Sequence, residues 1–133
     1  MFTINLKFLG DQPPKAPYSR MPIDEIYDYL FWEADLSITY NNRIIFSEEV
    51  AIIEFYWYLL RWYRGYLAGN KEQFSYSTVE HTAPILVFSL KQNCYWEIDS
   101  VWKKCDKAVL VNEEMLCSEV HLFLERIMEV IEN

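Results

Sequence analysis

The sequence lacks three features that define common protein classes: paired cysteines, an excess of basic residues and a long apolar run. Its three cysteines, Cys94, Cys105 and Cys117, are widely spaced and form no CxxC pair. Neither a disulfide framework nor a zinc knuckle is expected, and reduced thiols that pack in the fold predict a cytoplasmic location. The longest uncharged apolar stretch of the main helix candidate, Phe55 to Leu60, has six residues, whereas a membrane helix needs about 20.

Basic residues are outnumbered by acidic ones: 12 lysines and arginines stand against 20 aspartates and glutamates, which gives a net charge of −8. Nucleic acids and anionic membranes bind through a basic footprint, so neither is an expected partner. An acidic surface favours basic partners instead. The first residues alternate apolar and polar side chains and include Lys7. That pattern differs from a secretion signal, and Met1 is interpreted as the true start.

The sequence does have the size and the apolar content of one compact domain. Its 133 residues predict a single domain over residues 1–133, and an apolar share of 52% supplies ample material for one core. The aromatic share of 17% is high. Tyrosine and tryptophan suit a partly hydrated contact surface, so some of these side chains are candidates for binding.

The first third of the chain predicts a strand followed by an irregular stretch. Residues 2–9 alternate in the two-residue period of a half-buried strand. Four prolines follow between Gly10 and Pro22, and their fixed φ angles and missing N–H groups predict an extended loop. Apolar residues at helical spacing then predict a short helix near residues 22–30.

A hairpin and a long helix are predicted next. The strand that ends at Tyr40 is followed by Asn41-Asn42, a pair that tolerates the positive φ angles of a two-residue turn. The returning strand is expected over residues 43–46. Ser47 is then the expected N-cap of a helix that continues to about Leu67.

The remaining sequence predicts further strands and a final helix. Asn112 is placed to cap that helix, whose apolar stripe has helical spacing. The additional strands are expected at residues 74–79, 85–91, 95–103 and 109–111. Because most connections are too short for parallel crossovers, the sequence predicts an α+β fold, with an antiparallel sheet of about five to seven strands packed by two main helices.

The long helix contains the first candidate binding residues. Seven aromatic side chains fall within Phe55 to Tyr66 and surround most of the helix axis, although a helix lying on a sheet needs only about a third of its circumference apolar. Some of them must therefore meet a second helix, the proline-rich loop or a binding partner. The candidates for a ligand or self-association surface are Tyr58, Trp62, Tyr63 and Tyr66.

The final helix supplies the acidic candidates. Residues 111–133 contain six glutamates and a single arginine. When the apolar stripe docks on the sheet, Glu114, Glu125 and Glu129 are expected to point outward, where they either maintain solubility or steer a basic partner.

An alternative site uses carboxylates on the sheet. Glu33 and Asp35 share one face of a strand, as do Glu97 and Asp99 on another, and four carboxylates would converge if those strands were neighbours. His81, which follows a glutamate in a turn-like stretch, is the candidate general base of such a pocket. The competing interpretation is a solvated sheet face and a surface histidine.

No catalytic, phosphate-binding or metal-binding motif is recognisable, and no cofactor or metal is expected. Catalytic activity stays open, and the missing motifs favour a binding protein over an enzyme. The leading hypothesis is an acidic protein that binds a basic protein partner stoichiometrically, in the manner of the small immunity proteins that neutralise bacterial toxins. That likeness is one of size, charge and missing catalytic motifs. The alternatives are a small enzyme or ligand-binding domain with an aromatic-lined pocket, and a structural homodimer.

Overall fold

The architecture consists of two antiparallel sheets and two α-helices, as seen in a computed structural model that describes residues 1–10, 32–77, 84–105 and 107–132. The α+β class and the antiparallel pairing are confirmed. The seven strands that are described form two sheets, of three and four strands, instead of a single sheet. Two predicted elements lie outside the described residues: the loop expected between Gly10 and Pro22, apart from Gly10 itself, and the short helix expected near residues 22–30.

The first sheet is built from the N-terminal strand and the hairpin, in the order β1-β2-β3. Its strands are β1 (Phe2–Phe8), β2 (Glu33–Tyr40) and β3 (Arg43–Ala51). Alternation places Phe2 and Ile4 in the core. The turn between β2 and β3 is the predicted one, because Asn41 and Asn42 have φ angles of 51° and 66°.

The boundary between β3 and the first helix differs from the prediction. Helix α1 (Ile52–Leu67) begins five residues after the expected cap at Ser47, which lies inside β3 opposite Ser37. Pairing with the eight-residue strand β2 extends β3 and outweighs the capping preference of Ser47. The helix start has no side-chain cap; instead, the Ile52 N–H group donates to the carbonyl oxygen of Trp32 at 2.9 Å.

The second sheet follows α1, in the order β4-β5-β6-β7. Its strands are β4 (Phe74–Tyr76), β5 (Leu86–Leu90), β6 (Tyr95–Asp99) and β7 (Val109–Asn112). Strand β6 was expected to continue to Lys103 but ends at Asp99. The chain turns there because the Ser100 hydroxyl donates to the Ile85 carbonyl oxygen and accepts from the Trp102 N–H group.

Helix α2 (Glu113–Glu132) docks on the sheets through the predicted stripe. The stripe residues Leu116, Val120, Phe123, Leu124, Ile127 and Ile131 are all buried. Side chains of the helix also bond to the backbone of β1, the edge strand of the first sheet. Glu119 accepts from the Ile4 N–H group at 2.9 Å, and Arg126 donates to the Ile4 carbonyl oxygen at 2.7 Å. These bonds satisfy backbone groups on the edge strand that strand pairing leaves open.

The three cysteines are free thiols, as predicted. Cys94 is exposed, whereas Cys105 and Cys117 are half-buried. Within the described ranges, no helix combines the length and the apolar character that crossing a membrane requires.

The N-terminus of α2 provides a first test of the fold. The Asn112 side-chain oxygen accepts from the Glu114 N–H group at 2.9 Å and from the Met115 N–H group at 3.4 Å. We expect Asn112→Ala to lower the free energy of unfolding by about 1 kcal/mol, because these helix donors lose their cap. Asn112→Asp is the control and should keep most of the stability. Urea denaturation measures both, and equal losses in the two variants would show that the cap contributes nothing.

Candidate binding site: the interhelical groove

An open groove lies between α1 and α2, and we call it the interhelical groove. It has a volume of about 670 Å³, which is within the range of ligand and peptide sites. The groove brings together three residues that were predicted for binding: Tyr63 and Tyr66 from α1, and Glu114 from α2. The complete lining consists of Tyr63, Tyr66, Glu113, Glu114, Cys117, Ser118, His121 and Leu122.

Two tyrosines form the α1 wall of the groove. The rings of Tyr63 and Tyr66 are nearly parallel, with an interplanar angle of 10° and centroids 6.3 Å apart. Both side chains are half-buried, so they are held by the core and still reach the groove. Tyr66 also stacks on Trp62, with ring centroids 5.8 Å apart. The wall is therefore anchored in the aromatic core.

Glu113 fixes the base of the groove. Its side chain is only 14% exposed. One carboxylate oxygen accepts from the Tyr66 hydroxyl at 3.0 Å and from the Lys71 ammonium at 3.0 Å, and the other accepts from the Trp96 indole N–H at 2.8 Å. We call these four residues the Glu113 cluster. It joins α1, the loop that follows α1, strand β6 and the first turn of α2.

The charge states in this region follow from burial and hydrogen bonding. Burial alone would raise the pKa of Glu113, but the hydrogen bonds donated by Trp96, Lys71 and Tyr66 outweigh it and hold the pKa below its usual value. Burial is also the main reason that the pKa of the Tyr66 hydroxyl is raised. Glu113 is therefore a carboxylate acceptor and Tyr66 a protonated donor at neutral pH.

Cys117 lies in the groove but is not an activated nucleophile. Burial is the largest effect on its thiol and raises the pKa; the hydrogen bond with Tyr66 lowers the pKa, and the smaller effects of Glu113 and Lys71 oppose each other. A thiol with a raised pKa carries little thiolate at neutral pH. This environment supports a packing role for Cys117.

The α2 side of the groove is acidic. Glu114 is exposed, and it makes no ion pair with any residue that the structure describes. The His121 Nε2 atom lies 2.9 Å from a Glu125 carboxylate oxygen, and its Nδ1 atom lies 3.5 Å from the Tyr63 hydroxyl. Glu129, one helical turn beyond Glu125, is exposed as predicted. The predicted acids thus form a rim along the outer face of α2.

The other two predicted aromatic residues lie elsewhere. Trp62 is a core residue with 8% exposure; its ring packs edge-on against Trp96 at 5.4 Å, and its N–H group donates to the Glu72 carbonyl oxygen at 2.8 Å. Tyr58 is 41% exposed and, together with Arg61, lines a separate groove of about 430 Å³. The predicted aromatic surface is therefore divided between the core and two grooves.

The alternative carboxylate pocket required neighbouring strands, and that condition is not met. Glu33 and Asp35 lie on β2 of the first sheet, whereas Glu97 and Asp99 lie on β6 of the second. The described parts of the chain contain no group of three or more side chains that could hold a metal ion. His81 lies outside the described residues.

The sequence patterns did not identify five of the residues that line the groove: Glu113, Cys117, Ser118, His121 and Leu122. Leu122 is 52% exposed on the outer face of α2. A usable signal existed for Glu113, because it directly follows a strand and begins a helix, where a carboxylate interacts favourably with the helix dipole. No local signal identified His121, whose groove contact is with Tyr63, 58 residues earlier in the chain.

Comparison with known proteins places the chain in one family. The model of a domain of unknown function, DUF7878, matches residues 13–133, and the chain therefore belongs to that family. No curated protein and no solved structure gives a significant match.

The Glu113 cluster generates a test with a defined pH dependence. We expect Glu113→Gln to lower the free energy of unfolding by about 1.5–3 kcal/mol at pH 7, the range for hydrogen bonds to a charged group. Since the pKa of Glu113 is lower in the folded state, its contribution is complete above the unfolded-state pKa, near 4.3, and disappears as pH falls through the folded-state value.

The matched control is Glu114→Gln, which removes the same charge from the next residue of the same helical turn. Glu114 is exposed, so its loss should be within about 0.5 kcal/mol. Urea denaturation between pH 3 and pH 8 measures both variants. Equal stability losses in the two variants, or a Glu113→Gln loss that does not shrink in acid, would contradict the role assigned to the cluster.

Proposed function

We propose that this domain binds a basic protein partner stoichiometrically through the interhelical groove, as an immunity or inhibitor protein of a toxin system would. The observation that carries the proposal is the convergence of Tyr63 and Tyr66 from α1 with Glu114 from α2 in one open groove. Among the described residues that line the groove there is no lysine or arginine. The site is thus aromatic and negatively charged.

This combination supplies the two properties that a stoichiometric binder needs. Acidic side chains on an outer helix face raise the rate of encounter with a basic protein. Tyrosines with few rotatable bonds, already held by the core, are frequent energetic centres of interfaces because they lose little entropy on binding. The free thiols fit a reducing compartment, and we place the function in the cytoplasm.

An enzymatic function has less support from the geometry. The carboxylates of the alternative pocket lie in different sheets, and the pKa of the one thiol in the interhelical groove is raised. A structural homodimer would use the exposed face of α2, whose large apolar members are Met115, Leu122 and Met128. Self-association is therefore an outcome that the partner experiment must distinguish.

The experiment begins with affinity capture of partners from the native cell and measurement of the association and dissociation rates of the captured protein. We expect the association rate to fall steeply as salt rises, whereas the dissociation rate changes little. The combined variant Glu114→Gln, Glu125→Gln and Glu129→Gln should slow association about tenfold in low salt. It should keep its fold, because exposed charges contribute little to stability.

The control replaces exposed acids away from the groove, with Glu33→Gln and Asp99→Asn on the two sheets. An association rate that changes neither with salt nor with the helix substitutions would contradict the proposal. Sedimentation at micromolar concentration measures self-association. A dimer of the unmodified protein that becomes a monomer in the combined helix variant would favour the homodimer over the partner-binding function.

A further inference from the structure

One cationic side chain of the protein, Lys71, already contacts an aromatic ring and a carboxylate next to the interhelical groove. The Lys71 ammonium lies 6.0 Å from the centroid of the Tyr66 ring and 3.0 Å from a Glu113 carboxylate oxygen. A cation that combines an aromatic face with a carboxylate gains from the ring quadrupole and from the ion pair. Lys71 thus shows the form of cation recognition that this surface supports.

The neighbouring half of the groove has the same components, an aromatic ring and a carboxylate, without a lysine or arginine among its described lining residues. Tyr63 presents a ring parallel to that of Tyr66. His121 connects the Tyr63 hydroxyl to Glu125, and its Nε2 atom lies 2.9 Å from the Glu125 carboxylate. The described lysines and arginines do not line this part of the groove.

We propose that the Tyr63 half of the interhelical groove binds an arginine side chain of the basic partner, over the Tyr63 ring and beside Glu125, in the way that Lys71 is bound by Tyr66 and Glu113. This inference rests on the proposed function and specifies its partner chemistry. The geometry favours arginine over lysine, because a planar guanidinium stacks on aromatic rings and bonds carboxylates through two donors. The exposed Leu122 side chain is available to the aliphatic stem of the arginine.

The volume of the groove agrees with an arginine within an extended segment. At about 670 Å³, the groove exceeds what one side chain fills and leaves room for neighbouring residues of the segment. The charge is complementary, because the rim carries Glu114 and Glu125 and the guanidinium keeps its charge at every physiological pH.

The test uses a fluorescently labelled peptide of alternating glycine and arginine, with fluorescence anisotropy as the measurement of affinity. A peptide in which citrulline replaces each arginine controls for shape without charge. We expect the arginine peptide to bind the intact protein and the citrulline peptide to bind at least tenfold more weakly. Tyr63→Leu should weaken binding of the arginine peptide about fivefold, as expected for loss of a cation–π contact.

Matched variants separate the anchor from general charge attraction. Glu125→Gln should weaken binding about fivefold, whereas Glu129→Gln, the same charge change one turn further along α2, should change it less than twofold. Tyr63→Phe keeps the ring and should keep the affinity. Urea denaturation of each variant verifies the fold and reports any packing loss in Tyr63→Leu, whereas Tyr63→Phe isolates the effect of losing the hydroxyl that contacts His121.

Three outcomes would overturn the inference: no binding of the arginine peptide, equal effects of Glu125→Gln and Glu129→Gln, or an unchanged affinity in folded Tyr63→Leu. Equal effects of the two acid variants would leave the proposed function standing, because steering by the acidic surface needs no anchor. Conversely, if the arginine peptide binds at Tyr63 but no captured protein depends on the acidic helix, the proposed function fails and the anchor site stands.

Discussion

The carboxylate of Glu113 is the contact on which the interhelical arrangement depends. Placing a charged group in a position with 14% exposure carries a desolvation cost. Three donors offset that cost, from the Tyr66 hydroxyl, the Lys71 ammonium and the Trp96 indole. The position in the first turn of α2 adds a favourable interaction with the helix dipole. One side chain therefore links the second sheet and both helices, in addition to their contacts in the apolar core.

The hydrogen bonds of this cluster hold the groove side chains in place, which supports the proposed binding role. Tyr66 is held by Glu113 and stacks on the buried Trp62, and Tyr63 is parallel to Tyr66. Side chains that are ordered before binding lose little entropy when a partner arrives. The glutamates on the outer face of α2 do not stabilise the fold in the same way, since Glu129 lies in the final turns, where the helix dipole disfavours negative charge. The proposed binding role would explain why glutamates are found at these positions.

Local sequence patterns predicted the elements better than their association. Asn41-Asn42 and the apolar stripe of α2 are encoded in a few neighbouring residues, and both were predicted correctly. Ser47 has the local character of a helix cap, but pairing with β2 places it in a strand. The division into two sheets and the contact between Tyr66 and Glu113, 47 residues apart, depend on tertiary packing that periodicity does not contain. For the same reason, Tyr58 and Tyr63 could not be assigned to different grooves.

The central claim is that the interhelical groove, and no other surface, recognises a basic partner. Backbone amide shifts of the labelled protein, recorded by NMR while the captured partner or the arginine peptide is added, test it most directly. The account predicts that the largest changes fall at residues 63–66 and 113–125. Changes centred on the groove at Tyr58, or on the sheet carboxylates Glu33 and Asp35, with residues 63–66 and 113–125 unaffected, would contradict it.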